Sequence, residues 1–392
     1  MSGADTDLIV NFGTRGTSAV GIDGMLVAGW STPEADETWT VGRESVLMLP
    51  APTRPASYVL VLNLRPLVAE GKLAAQRLRV SANGSEVSSF RIDRRTLRTC
   101  VIPWSVIAGA PALRLTLLLP DAARPAELGL NQDHRQLGIA LSRLRLYPDL
   151  YEAWQDDTAL SGDEPVSIDM ASVTAAEQVP LADLMLKFES LGQNCEFGLV
   201  QRQCQAEPLS LLRFSSTPLP RLLDALDARF AGMGAPEATN VVLSSNGREY
   251  MVNDSRFGFV YHAWVNAGEM SPEELQRREA RRIPFLVRKL LEDLEAGEKI
   301  FVFKGMGAVA EEEVFPLAMA IRRYGPNTLL VITLSDAAHR GGTVEARSPG
   351  FMIGYIDRFA PGDDAQDFLL GQWVRICRDA WRLRLAARGM RR

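Results

Sequence analysis

From about residue 20 to residue 150 apolar and polar positions alternate in short runs: SVLMLP, SYVLVLNL, RLRVSANGSEV, SSFRID, RLTLLLPDAARP and GIALSRLRLY. A period of two gives a strand one dry face and one wet face, and turn residues separate the runs at even spacing. Asn83-Gly84 suits a two-residue hairpin turn, whose central residues both need positive φ. No long amphipathic helix interrupts the pattern, so this half is predicted to be an antiparallel β-sandwich.

The stretch over 151–180, YEAWQDDTALSGDEPVSIDMASVTAAEQVP, is acidic, rich in small residues and poor in apolar periodicity, and is predicted to be a linker. After it the texture changes. LMLKFESLG predicts a strand and loop, CEFGLVQRQC the start of a helix, and PRLLDALDARF a helix with apolar residues three to four apart. REYMVND and FGFVYHAW predict a hairpin. Ser271, with Glu274 three residues on, opens a long helical pattern. KIFVFK, EEVFPLAMAIRRYG and TLLVITL predict a strand, helix, strand unit. The expected chain is therefore α+β with two domains: a sandwich over 1–150, the linker over 151–180 and an α/β domain over 181–392.

Composition agrees with two globular domains, since 392 residues exceed the ~100–200 of one. With 43 basic and 48 acidic side chains the net charge is −5, without a lysine-rich run or basic tail, which argues against nucleic acid as the main partner. The opening MSGADTDLIVNFGTRG lacks the basic and apolar regions of a secretory signal, and no run of 18 apolar residues occurs. A cytoplasmic chain without a membrane span is expected. Cys100, Cys195, Cys204 and Cys377 are too scattered for a disulfide framework or a short-spaced zinc pair, so neither metal nor cofactor is expected.

The strongest local pattern is FESLGQNCEFGLVQRQCQAEPLSLLRF, where a strand runs through a glycine loop into a helix that begins at Cys195. Free N–H groups and the positive end of the helix dipole favour a thiolate there. A nucleophilic cysteine needs a base, and of His134, His262 and His339 the second lies on a strand in the same half. Asp254 would orient His262 if the intervening turn folds back. The N–H of Cys195, with Gln193 or Asn194, would serve a tetrahedral oxyanion. Arg202 and Arg213, close to Cys195 in sequence, either hold an acidic substrate group or pair with Glu196 or Glu207. The plain alternative makes Cys195 and His262 core residues, as most buried thiols and aromatic-flanked histidines are; Cys204 is read as core.

SLGQNCEFG, Arg202, LLRF, GREYMVND, YHAW, REARRIPFLVRKL, KIFVFK and YGPNTLLVITL together resemble an uncharacterised bacterial family described as papain-like cysteine peptidases, over roughly 185–335. The resemblance implies a papain-like α/β domain with Cys195 as nucleophile and a strand histidine, His262, facing it as base; the third position is open between Asp254 and Asp336. More loosely, GWSTPEADETWTVG, VSANGSEV, LPDAARP and NQDHRQLGIAL resemble the jelly-roll domains appended to bacterial exopolysaccharide and glycosyltransferase proteins. Trp30, Glu34, Trp39, Asp133, His134 and Arg135 offer the stacking ring and polar groups of a sugar site. Otherwise both tryptophans cap the core and Asp133 and Arg135 brace a loop.

Two further patterns are weaker. Gly305 and Gly307 precede a helix in FKGMGAVAEEEV, but the third glycine of a dinucleotide loop is missing and Glu311 to Glu313 would repel a phosphate. Arg277, Arg278, Arg281, Arg282, Arg288 and Lys289 form a basic helix face, either solvated or anion-binding. Two functions remain in view. One is a thiol hydrolase or acyl transferase acting on an acylated or amide-linked group in exopolysaccharide or cell-envelope glycan metabolism. The other is a non-catalytic module that binds carbohydrate, sugar nucleotide or a polysaccharide-biosynthesis enzyme.

Overall fold

The computed structural model describes residues 8–14, 22, 24–148, 179–244, 247–305, 307–362 and 364–389. The predicted linker lies outside them except for residues 179 and 180.

Alternation in the first half becomes ten strands and two helical turns: β1 (Leu8–Asn11), β2 (Leu26–Ala28), β3 (Thr38–Val41), β4 (Glu44–Pro50), β5 (Tyr58–Pro66), β6 (Gln76–Ala82), β7 (Ser85–Ile92), β8 (Thr96–Ile102), α1 (Trp104–Ile107), β9 (Ala112–Leu118), α2 (Pro125–Leu128) and β10 (Leu137–Pro148). They pair antiparallel in two five-stranded sheets. One runs β1-β10-β5-β8, with β3 also on β10, and the other β2-β4-β9-β6-β7. Asn83 and Gly84 take φ of 46° and 87° and turn β6 into β7, as their dipeptide predicts. Leu60, Leu62, Leu144 and Leu146 of one sheet meet Leu47, Leu78, Val80 and Leu115 of the other in a dry core. The predicted sandwich is what the chain forms.

The second half contains α3 (Leu181–Met185), β11 (Phe188–Ser190), α4 (Glu196–Gln203), β12 (Ser215–Ser216), α5 (Leu219–Asp227), β13 (Thr239–Leu243), β14 (Glu249–Asp254), β15 (Phe259–Asn266), α6 (Pro272–Ala296), β16 (Ile300–Lys304), α7 (Glu311–Arg322), β17 (Thr328–Leu334), β18 (Thr343–Ser348), β19 (Phe351–Ile356) and α8 (Leu370–Gly389). β11, β16, β17 and β19 lie parallel in that order, and β18 closes the edge antiparallel. β16, β17 and β19 read as nearly continuous apolar runs because both faces are covered. Phe197 and Val200 of α4 and Trp373, Ile376 and Cys377 of α8 pack with Val302, Leu330 and Met352. A second, antiparallel sheet runs β12-β15-β14-β13 and lies against α6. Ser271 caps α6 by accepting the Glu274 N–H, as the capping pattern requires, and Gly297 ends it at φ 61°.

The chain divides into two units, Met1–Ser161 and Gly162–Arg392. Leu62→Ala would empty a fully buried position between the sandwich sheets and is expected to cost about 2–5 kcal/mol. A lower urea midpoint for the transition of the sandwich, with the second unit unmoved, is the readout.

Candidate functional site

Most of SLGQNCEFG has a local structural task. Leu191 is buried and donates its N–H to Val302 O, tying the loop to β16. Gly192 takes φ 83° with the hydroxyls of Ser215 and Thr217 so close that a Cβ would stand 2.8 Å from each. Asn194 Oδ1 accepts the Glu196 N–H at 3.1 Å, an Asx turn that starts α4. Gly198 lies against the Arg213 backbone, where a Cβ would meet the carbonyl oxygen at 2.5 Å. Glu196 is buried and triply held: Lys304 Nζ at 3.0 Å, Trp373 Nε1–H at 2.9 Å and Ala360 N–H at 3.1 Å. Lys304 in turn stands 4.1 Å over the Phe359 ring. The motif builds the joint between α4 and the carboxyl ends of the parallel strands.

Cys195 is the N-cap residue of α4, as expected, and is half-buried. Burial pushes its thiol up, and the local N–H and the Lys304 charge do not offset that desolvation. The direction is opposite to the lowering that the helix start alone leads one to expect. Cys204 and Cys377 are buried in the same core, and Cys204 is packing, as read.

His262 sits on β15 of the antiparallel sheet, whereas Cys195 follows β11 of the parallel sheet. The charged groups that act on Cys195 are Lys304 and Glu196, and His262 is not among them. His262 Nδ1 lies 2.9 Å from Glu249 Oε1, on the neighbouring strand. A carboxylate only accepts, so the proton is on Nδ1. The carboxylate that orients His262 is thus Glu249. Asp254 is fully buried and serves its own turn, accepting the N–H groups of Gly234 and Phe257 at 3.1 and 3.0 Å. Gln193 takes φ 70° in the loop, and Asn194 is engaged in its Asx turn.

The two arginines separate. Arg213 is buried and clamps α4, donating to Gly198 O at 3.0 Å, Ala206 O at 2.9 Å and Glu207 at 2.5 Å. Arg202 is exposed, pairs with Glu207 at 2.9 Å, and lies 4.7 Å over Phe214 and 5.0 Å over Trp264. Trp264 itself is 51% exposed and has φ 54°, rare for so bulky a residue. It stands in a bulge of β15, where the partners shift from Asn266 opposite Glu249 to His262 opposite Met251. Its ring meets Phe214 edge-on at 5.4 Å and His262 at 5.5 Å. The pattern had placed Trp264 only as a neighbour of His262, because a bulge leaves no mark on a strand's alternation.

In the sandwich the predicted sugar residues differ in exposure, Glu34, His134 and Arg135 being exposed and Trp30 half-buried. Trp39 is 7% exposed beneath Arg65, and Trp30 donates its ring N–H to Val46 O and packs on Phe12. Asp133 and Arg135 pair at 2.6 Å and brace their loop, with Glu34 near Arg135, while His134 is exposed.

Two outcomes follow from the Cys195 joint. Iodoacetamide at pH 7 is expected to label the folded protein slowly, at Cys195 first because it is the one of the four thiols that is not buried, with a rate still rising at pH 9. Rapid labelling near pH 6 would mean an activated thiolate. Lys304→Met, which strands the buried Glu196 charge, is expected to cost about 3–5 kcal/mol, and adding Glu196→Gln should recover part of it; thermal melts of the two variants report the difference.

No family profile matches the chain, and no curated protein is similar to it. Among solved structures, the xylan-binding domain CBM22-1 of Xyn10C from Paenibacillus barcinonensis is 13% identical, over 38% of this chain and 97% of that one, with a TM-score of 0.25. The C-terminal CBM6 of the laminarinase LamC from Zobellia galactanivorans is 9% identical over 36% and 98%, with a TM-score of 0.22. The 4-O-methyl-α-glucuronidase BtGH115A is 15% identical over 29% of this chain and 14% of that one, with a TM-score of 0.21.

Proposed function

We propose that this is a glycan-binding protein of exopolysaccharide or cell-envelope glycan metabolism, with its site on the outer face of the β12-β15-β14-β13 sheet. Helix α6 covers the inner face, where Val252, Phe259, Ala263 and Val265 are buried. The outer face carries the alternate positions. Asn240 stands opposite Asn253, Asn253 opposite Val260, and Met251 opposite His262, with Glu249 and Trp264 beside them.

The observation that carries the proposal is Trp264. A left-handed backbone costs a bulky residue about 1–2 kcal/mol, and leaving half an indole in water forgoes burial that would repay it. Strain of this kind is kept where a side chain must be aimed. The ring is held by Phe214, Arg202 and His262, so its position is set before any ligand arrives. An indole presented in this way suits the apolar C–H face of a pyranose. His262, Glu249 and the two asparagines offer donors and acceptors for the ring hydroxyls. In this reading Cys195 is a structural thiol and no acyl-enzyme forms.

Calorimetric titration with cellohexaose, xylohexaose and laminarihexaose tests the site. At least one is expected to bind, and Trp264→Ala to weaken it about 30-fold or more. Trp264→Gly, which relieves the positive φ, is expected to lose binding while staying within about 1 kcal/mol of the parent stability. Absence of binding to all three, or full binding by Trp264→Ala, would overturn the proposal.

A further inference from the structure

Helix α6 carries a second surface that the glycan face does not use. Met270, Arg277, Arg278, Arg281, Arg282 and Phe285 line an open groove, with Glu274 also at its wall. Buried Glu279 holds two of these arginines: Arg278 at 2.9 Å and Arg282 at 3.6 Å. Arg277 and Arg281 are exposed, one helical turn apart, and have no acidic partner among the described residues. Arg288 lies 5.6 Å over Phe285, which is 43% exposed at the groove's end. A chain of net charge −5 thus keeps a concentrated positive groove on one helix face.

The groove borders β15. Arg278 donates to the Ala263 carbonyl at 3.4 Å, and Ala263 immediately precedes Trp264. β12 pairs with β15 at Val260 and Tyr261, short of the bulge that carries Trp264.

We infer that the ligand is an anionic polysaccharide, its charged groups paired with Arg277 and Arg281. The inference rests on the glycan-binding proposal and names the class of glycan. Four residues of helix rise ~6 Å, of the order of the advance of one sugar unit along an extended chain, so guanidinium groups at Arg277 and Arg281 suit one carboxylate per monosaccharide. Each guanidinium offers a planar fork that a carboxylate meets with two hydrogen bonds. Met270 and Phe285 supply apolar contacts for ring faces on either side of the two charges.

The test compares the full chain's binding to polygalacturonate with its binding to the same polymer fully methyl-esterified, which keeps the backbone and removes the charge. The charged form is expected to bind roughly tenfold tighter, an advantage that shrinks as salt rises. The double variant Arg277→Gln, Arg281→Gln should abolish the difference while leaving neutral-glycan binding unchanged, whereas Trp264→Ala should weaken both polymers alike. Equal binding of the two polymers, or an unaltered preference in the double variant, overturns the inference and leaves the Trp264 proposal standing. A charge preference in the full chain, with binding that Trp264→Ala leaves unchanged, removes the Trp264 proposal alone. Tighter binding to a dT20 oligonucleotide or to phosphatidylglycerol vesicles than to polygalacturonate assigns the groove to another polyanion and also overturns it.

Discussion

The carboxylate of Glu196 organises the second unit. It lies buried at the first turn of α4, where the helix dipole favours a negative charge, and its partners come from three other places in the chain: Lys304 at the end of β16, the Ala360 N–H beyond β19 and the Trp373 indole of α8. Two charges removed from water need partners beyond each other, and here the indole and the amide serve the carboxylate and the Phe359 face the ammonium. One residue thereby sets α4 and α8 against the same end of the parallel sheet. Cys195, next to Glu196 in the chain, is half-buried beside that joint, and burial pushes its thiol up.

A different economy governs the antiparallel sheet. Its inner face is ordinary packing against α6, while its outer face holds an indole in a strained bulge and ties a histidine to a glutamate. Arg202 links the two halves of the unit. It projects from α4, pairs with Glu207 and covers Phe214 and Trp264, so the helix that the Glu196 joint positions also supports the exposed ring. Arg213, buried beneath it, secures the same helix from the other side.

The strands, the Asn83-Gly84 hairpin, the β14-β15 hairpin, the Ser271 cap and the β16-α7-β17 unit were all legible because each is a local matter of period and turn chemistry. β18, β19 and α8, in the last quarter of the chain, were not read, although Phe351–Ile356 is a continuous apolar run of a kind that periodicity cannot assign between helix and strand. The motif around Cys195 was visible, but its meaning was not. Gly192 and Gly198 are there for close approaches to Thr217 and Arg213, residues that lie 25 and 15 positions on. The low-pKa expectation considered the helix dipole, which follows from local sequence, and lacked the desolvation, which does not.

What the sequence by itself determined is a β-sandwich followed by an α/β unit, with the helix start at Cys195 and the basic face of α6, since apolar period and capping residues act over a few positions. Only the tertiary structure decided which groups meet. Glu249 rather than Asp254 meets His262 because β14 and β15 pair in one register; Trp39 is covered and Trp264 is bare because one lies beneath Arg65 and the other rides a bulge. Desolvation, strand register and backbone strain are set by residues far apart in the chain, and no local pattern carries them.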